Sequence, residues 1–371
     1  MDRAANGANV DYTQPLTDGP THHGFDYYYG DDVPNFPPYA FIENDRFPEI
    51  PDRPFEAGMP GVPGVMAASW RPERLLTVET EKAVAYIREH RDGPFFLMVS
   101  LTAPHTPIAP TPEFEGRSRA GRYGDFVEEM DHRIGEMLAA LRDAGIEERT
   151  IVVFSSDNGS SFQDGGTAGG ERYGGRFGSI LDLGHNPSGR FRGMKSDSWE
   201  GGHRIPFLVR WPGVIPAGSV TDALTCDLDL YATLADVAGV TLSEGDAVDS
   251  RSLMPLLRGG EPVRTSLVAQ SGNGILCYIS GDWKLIAGSG SGGSLNPYGQ
   301  ADLLPAYDAA SGRWRNVQLY NLASDPEERY DRAALHPQRV ARMMEALAGE
   351  VRRGGTAADW QQVAWTSRFG E

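Results

Sequence analysis

The sequence predicts an α/β fold followed by a smaller carboxyl-terminal α+β domain, and three observations carry that expectation. Apolar runs of strand length end abruptly in polar or ionisable residues, at Phe95–Leu101, Ile151–Ser156 and Phe207–Trp211. Helical periodicity lies around them, most clearly from about Asp125 to Ala144, where Phe126, Met130, Ile134, Met137, Leu138 and Leu141 share one face and Gly145 supplies a stop. After Arg258-Gly259-Gly260 the pattern changes to short strands separated by turn residues, which predicts an antiparallel sheet.

Taken in order, residues 1–75 are rich in Pro, Gly, Asp and aromatic residues without sustained periodicity, and read as a long excursion over a sheet edge. His22 and His23 lie there, where a solvated or structural role is favoured over substrate contact. A helix is expected from about Val78 to His90. Asp131, on the helix after it, is read as a structural partner in a helix-to-loop network. The β-branched run Ile151–Ser156 reads as a buried parallel strand. Between Gly159 and Lys195 the chain is rich in glycine and arginine, including Arg172, Arg176, Arg190 and Arg192, and forms either a substrate-facing loop or a plain one. A helix over Asp227–Ala238 completes a large domain of residues 1–260. Residues 261–371 then hold strands at Ser266–Gln270, Ile275–Ser280 and Asp282–Ala287, a flexible Gly/Ser loop at Gly288–Gly293, and a final helix, Pro337–Arg353, packed on the sheet.

Composition agrees with a folded enzyme body. At roughly 100–200 residues per domain, 371 residues make two to three domains. The net charge of −17 argues against nucleic acid and against anionic membrane surfaces as partners, although a local cationic pocket can still hold an anion. Two cysteines at unpatterned positions give neither a disulfide framework nor a zinc motif. No stretch approaches the roughly 18 apolar residues that span a bilayer, and residues 1–20 contain no signal-peptide core, so the compartment stays open.

The strand ends carry the chemistry. Asp157-Asn158-Gly159 follows Ile151–Ser156 directly, placing two oxygen donors where open α/β sheets bind ligands. Hard oxygen ligands suit Ca²⁺ or Mg²⁺, and the glycine is expected to let the backbone turn sharply. An Asx-turn closing the strand is the plain alternative. Phe95–Leu101 runs into Thr102-Ala103-Pro104-His105-Thr106-Pro107, so His105 also leaves a strand end. Further on, Gly193-Met194-Lys195 leads through Trp199 to Glu200-Gly201-Gly202-His203. A lysine and a histidine bracketing a hard cation can hold a tetrahedral dianion, one as a fixed charge and one as a proton donor to the leaving oxygen. That set suits a phosphate ester or a sulfate ester.

The stretch Tyr123–Gly159, with Asp131, Ile134-Gly135, Leu138, Leu141, Thr150 and the closing Ser156-Asp157-Asn158-Gly159, resembles the sulfatase family of the alkaline-phosphatase superfamily. So do Gly24-Phe25-Asp26 through Gly30, Pro104–Pro107, Gly193–Gly202 and Asp229–Leu234. Near the end, Leu319-Tyr320-Asn321-Leu322 with Asp325-Pro326-Glu327-Glu328 is similar to the family's closing motif. The resemblance implies an alkaline-phosphatase-like mixed sheet flanked by helices and hydrolysis of a sulfate ester, on a carbohydrate or an aryl sulfate. It also implies Asp157 and Asn158 as Ca²⁺ ligands, Lys195 on a sulfate oxygen, and His105 contacting the sulfate and aiding departure of the alcohol.

The family's nucleophile is a formylglycine made from a Cys/Ser-x-Pro/Ala-x-Arg signature near the amino terminus, which is expected to be absent here. Cys226 and Cys277 have neither the proline nor the arginine, and Pro187-Ser188-Gly189-Arg190 has His185 at the nucleophile position. The family's early Asp-Asp pair and Gly-Lys-x-His motif do not precede Gly24. The chain is therefore read as a sulfatase without its first strands and helices, starting at an internal methionine, with an incomplete Ca²⁺ site and no turnover alone. Self-association through an exposed sheet edge is expected. The alternatives are a phosphomonoester or phosphonate hydrolase of the superfamily, a non-catalytic binder of sulfated glycan, and an enzyme completed by a separate amino-terminal chain.

Overall fold

A computed structural model of the chain describes residues 7–56, 59, 61–166, 176, 178–243, 245–294 and 303–353. It divides into two compact units, Met1–Thr150 with Phe162–Asn186, and Ile151–Ser161 with Pro187–Glu371. The boundary expected at residue 260 falls within the second unit, ahead of its largest sheet.

The first unit begins with two short antiparallel ribbons, β1 (Tyr29–Gly30) with β2 (Ile42–Glu43) and β3 (Arg53–Pro54) with β4 (Val65–Met66). Strands this short are not self-supporting, and aromatic packing holds them. Tyr39 is fully buried against Phe55 and Trp70, with ring centroids 4.5 and 4.9 Å away, and Tyr12 meets Phe47 edge to face at 5.1 Å. The expected excursion over a sheet edge is thus a packed aromatic core that includes Ile42, Met66 and Leu75. Periodicity did not reveal it because irregular chain buries its rings without a repeat.

Two helices complete this unit, α1 (Leu75–Glu89) and α2 (Gly121–Asp143), which pack against each other, with a single turn, α3 (Ser179–Asp182), beyond them. Phe126 and Leu141 of the predicted α2 face are buried. Asp131 is exposed, which corrects the network assigned to it. Asp125 and Glu129 make that network instead, Asp125 accepting from the backbone N–H groups of Gly116 and Ser118 (2.8 and 2.7 Å) and Glu129 from Thr111 (2.7 Å). The strand expected at Phe95–Leu101 is not formed. Burial alternates along it as in an extended chain, with Phe96 and Met98 more than half exposed, but it pairs with no strand among the described residues.

In the second unit β5 (Val152–Ser155) pairs with β6 (Phe207–Arg210) in antiparallel register, Phe154 opposite Leu208. This corrects the buried parallel strand: β5 is half-buried, and Leu208 is exposed. One face of the ribbon, with Val153, Phe207 and Val209, lines an apolar groove with Leu230, Leu234 and Val237 of α5 (Asp229–Ala238) and Leu257 of α6 (Met254–Leu257). Asp229 is fully buried, paired with Arg264 and accepting from the backbone N–H groups of Arg251 (2.9 Å) and Cys226 (3.1 Å), so this motif residue serves the helix start.

The larger sheet has strand order β12-β9-β8-β7, all antiparallel, from β7 (Ser266–Gln270), β8 (Leu276–Ser280), β9 (Trp283–Ile286) and β12 (Gln318–Asn321). A small ribbon of β10 (Ala306–Asp308) and β11 (Arg313–Arg315) precedes β12. Register puts Val268, Tyr278, Leu285 and Leu319 on one face, packed against Val340, Met343, Met344 and Leu347 of the last helix, α7 (Pro337–Arg353). The opposite face carries Cys277, Ile286 and Tyr320 against Trp199, beside the turn α4 (Glu200–His203). Gly288–Gly293, expected to be flexible, is largely buried and held by Gln318 Nε2, which donates to the carbonyls of Gly288 and Gly290 at 2.9 Å each. Its small residues serve close packing.

Two carboxyls in the first unit carry a pH dependence. Burial pushes Asp31 up to about 7, against a hydrogen bond from Trp70 Nε1 (2.5 Å) and with the charge of Asp32. Burial and then the charge of Asp31 push Glu79 up to about 8, against a backbone hydrogen bond at Thr102. In the unfolded chain both ionise near pH 4 (about 3.9 and 4.3). Above that the folded state retains protons that the unfolded state has released, so stability falls as pH rises through the folded values. Glu79→Gln, neutral at every pH, is expected to flatten the decline in Tm between about pH 5 and pH 8. If Glu79→Gln and Asp31→Asn both kept the whole decline, these carboxyls would not be its source.

Candidate functional site

The candidate site lies in the second unit, where the end of β5 meets the segment from Arg192 to His203. Gly159 N donates to Gly202 O (2.9 Å), Lys195 N to Ser160 O (2.8 Å), and Gly201 N to Arg192 O (2.7 Å). Three glycines make this contact possible. A Cβ on Gly159 would lie 1.8 Å from Gly201 O, and one on Gly201 would lie 2.3 Å from Gly193 O. Gly159 does not adopt a positive φ, so the expected sharp turn is not its use; it admits a neighbouring backbone.

Asp157 is exposed and Asn158 partly buried, and neither side chain has a hydrogen-bond or ion-pair partner among the described residues. The nearby Asp227 carboxyl accepts from Ser155 Oγ (3.0 and 2.9 Å) and is pushed up by burial and by the charge of Asp157, against that hydrogen bond. Lys195 is partly buried. It is one of three lysines in the chain. Lys82 pairs with Glu43 at 2.9 Å, and Lys284 is buried between carboxylates, whereas Lys195 pairs with no carboxylate among the described residues. An ammonium with no carboxylate partner among the described residues, tied by backbone to a strand end that bears two oxygen donors, can receive an anion and a hard cation. Asp157 and Asn158 fit a Ca²⁺ in part, since two side chains fall short of the six to eight oxygens it takes. No cluster of three or more His, Cys, Asp or Glu suited to a metal occurs among the described residues.

In the first unit, His105 is exposed, and its Nδ1 lies 2.6 Å from Thr106 O. A carbonyl only accepts, so Nδ1 carries a proton and Nε2 is the free atom. His23 pairs with Asp18 (2.6 Å), and His22 Nδ1 accepts from Gly19 N (3.3 Å), so both serve their own turn. Arg192 stacks on Trp199 at 3.7 Å and donates to Glu328 O (3.1 Å), which makes it a structural residue; Arg176 pairs with Asp182, Arg190 lies 5.6 Å from the Phe191 ring, and Arg172 lies outside the described residues.

One match to Ser-x-Ala-x-Arg does exist, at Ser118-Arg119-Ala120-Gly121-Arg122, which corrects the expectation that the spacing is absent. The fold uses its serine at the entry to α2: Ser118 Oγ accepts from Ala120 N (3.1 Å), and a Cβ on Gly124 would lie 2.1 Å from that oxygen.

Sequence reasoning missed the support of the site. Lys284 Nζ is fully buried, donates to Glu200 Oε1 (3.0 Å), forms an ion pair with Glu328 Oε1 (3.0 Å) and lies 3.1 Å from His203 Nε2, which itself lies 3.0 Å from Ser198 O. Glu328 Oε2 accepts from Glu200 N at 2.6 Å. Burial alone would lower the Lys284 ammonium, but the two carboxylates hold it above its ordinary value. Burial likewise pushes Glu200 up, and the charge and hydrogen bond of Lys284, with the charge of Arg204, outweigh it. Glu328 stays raised by burial despite Lys284. Burial, then the charge of Lys284, lowers His203 to about 4, so its ring is neutral at pH 7, and burial pushes the Cys277 thiol up to about 11. The available signal was a lone lysine inside the apolar strand Trp283–Ile286.

A family model described as Sulfatase matches residues 7–240. The chain belongs to the sulfatase family. N-acetylgalactosamine-6-O-sulfatase of Bacteroides thetaiotaomicron is 33% identical over 285 residues, 76% of this chain and 52% of that protein. Steryl-sulfatase of Rattus norvegicus is 42% identical over 174 residues, 47% of this chain and 28% of that protein. A solved structure from Bacteroides thetaiotaomicron, described with its metabolism of multiple glycosaminoglycans, matches with a TM-score of 0.75 and 28% identity, over 92% of this chain and 75% of that chain. The sulfatase chain therefore has the alkaline-phosphatase-like α/β architecture expected of it. It spans about half the length, or less, of these curated relatives.

Two substitutions test the support. Gly159→Ala places a methyl against a backbone carbonyl that cannot yield, and is expected to cost about 1–3 kcal/mol of unfolding free energy. An unchanged denaturation midpoint would show that the Gly201 contact is not maintained. Lys284→Met strands two buried carboxylates and is expected to cost about 3–5 kcal/mol, partly recovered when Glu328→Gln is added. Additive losses in the double variant would argue against the ion pair.

Proposed function

We propose that this chain serves the hydrolysis of a sulfate ester, on a carbohydrate or an aryl sulfate, within the complete enzyme. The observation that carries the reading is Lys195, whose ammonium has no carboxylate partner among the described residues and whose backbone is bonded to the strand end bearing Asp157 and Asn158. Lys195 holds a sulfate oxygen as a fixed charge. Asp157 and Asn158 are the residues that would hold Ca²⁺, which supplies a Lewis acid when bound. His105 keeps its Nδ1 proton hydrogen-bonded to Thr106 O, and in its doubly protonated form it passes the Nε2 proton to the departing alcohol, leaving the neutral ring protonated at Nδ1. The domain division at residue 260, and self-association of the isolated chain, belong to the same reading.

Ser118 is packed at a helix entry and is not offered as a nucleophile, so these 371 residues are expected to bind without turning over. That observation also supports the second reading, a non-catalytic binder of sulfated glycan using the same Lys195.

Because the chain has only three lysines, an amine-acetylating reagent read peptide by peptide tests the anion site directly. Inorganic sulfate is expected to slow labelling of Lys195 and leave Lys82 unchanged; equal labelling of Lys195 with and without sulfate would sink the reading. An aryl sulfate should release no phenol with this chain. Turnover that is abolished by Lys195→Ala would overturn the expected inactivity.

A further inference from the structure

The residue after Lys195 is held in an unusual conformation by parts of the chain far away in sequence. Ser196 has φ +72°, a left-handed value that a non-glycine residue adopts at a cost, and such outliers persist only where the surroundings impose them. Its carbonyl accepts from Gly272 N (2.9 Å), in the turn between β7 and β8. Its Oγ accepts from Ser294 N (3.1 Å) and lies 3.1 Å from Ser294 Oγ, at the end of the Gly/Ser loop after β9. A Cβ on Gly272 would lie 2.8 Å from the Ser196 Cβ, so only glycine admits this approach. Two residues on, Ser198 N donates to Ser291 O (2.8 Å) of the same loop. The first of these contacts lies one residue from Lys195, on the side opposite its bond to Ser160.

We infer that Ser196, Gly272 and Ser294 form a clamp that sets the direction of the Lys195 side chain, making Ser196 and Ser294 positioning residues for the bound sulfate group. The carboxyl-terminal sheet thereby acts on the anion site through two Gly/Ser loops, and the left-handed turn at Ser196 is the geometry it imposes. The inference rests on the sulfate-binding role proposed for Lys195.

The same labelling experiment tests it on the full chain with inorganic sulfate as the probe. Ser196→Val puts a β-branched residue at a positive φ and is expected to weaken sulfate protection of Lys195 at least about tenfold in sulfate concentration. Ser196→Gly keeps that φ but loses the hydroxyl that Ser294 bonds, and should weaken protection measurably but less than Ser196→Val. Lys284 reports folding, since it is labelled only if the core opens. Wild-type protection in Ser196→Val with Lys284 unlabelled overturns the clamp and leaves the proposed function standing. If Ser196→Val instead exposes Lys284, Ser294→Ala decides, because it removes a hydroxyl contact without backbone conflict: weakened protection supports the clamp, and unchanged protection overturns it. No sulfate protection in the wild-type chain overturns the function and the clamp together.

Discussion

The buried ammonium of Lys284 is the constraint on which the second unit depends. Removing a charge of this size from water costs several kcal/mol unless partners surround it, and its partners come from separate parts of the chain. Glu200 and His203 lie on α4, and Glu328 in the turn after β12, while Lys284 itself belongs to β9. The ammonium is paired with both carboxylates only when the sheet and the α4 segment are docked in one register. Arg204 completes the balance by donating to the second oxygen of Glu200 at 3.1 Å. Hydrophobic residues in place of Lys284, Glu200 and Glu328 together would fill the same space without requiring any particular register, so the ion cluster contributes uniqueness more than net stability.

That register propagates to the site through backbone. Glu200 opens α4, Gly201 and Gly202 follow it, and their carbonyls meet Gly159 closely enough to exclude a side chain. Trp199, just before, is fully buried, with its Nε1 donating to Gln318 Oε1 (3.2 Å) and the Arg192 guanidinium over its ring. The direction in which Asp157 and Asn158 leave β5 is thus inherited from a charge cluster that touches neither of them. Close-packed backbone transmits position well, because every methyl group it could give way to is missing.

Residues whose role depends on neighbours in sequence were legible, and residues whose role depends on distant partners were not. The bounds of β7 and α7 follow the sequence expectation because alternation and a 3.6-residue repeat are local properties. Phe95–Leu101 shows the alternation of a strand, but pairing belongs to two segments and cannot be read from one. The antiparallel direction of β5 escaped for the same reason. Lys284 and Glu200 are 84 residues apart, and nothing in either neighbourhood names the other. Gly288–Gly293 was misread because Gly and Ser signal freedom only when exposed; here they are small enough to be buried. Among the candidate site residues, the strand-end position of Asp157 and Asn158 was visible, whereas the conformation that presents Lys195 was not.

The scarcity of lysine sharpens the reading of Lys195. Of 34 basic side chains three are lysine, so arginine is the default cation in this chain. Lysine is retained where a compact ammonium with three directed donors suits better than a planar fork of five. At Lys284 two carboxylates approach one nitrogen, and a guanidinium would leave donors buried without partners. At Lys82 the ammonium sits 4.0 Å above the Tyr29 ring while bonding Glu43. Both satisfy their charge within the chain. Lys195, held by its backbone at the end of β5, is paired with no carboxylate among the described residues, and that contrast with Lys82 and Lys284 is what singles it out for the proposed sulfate contact.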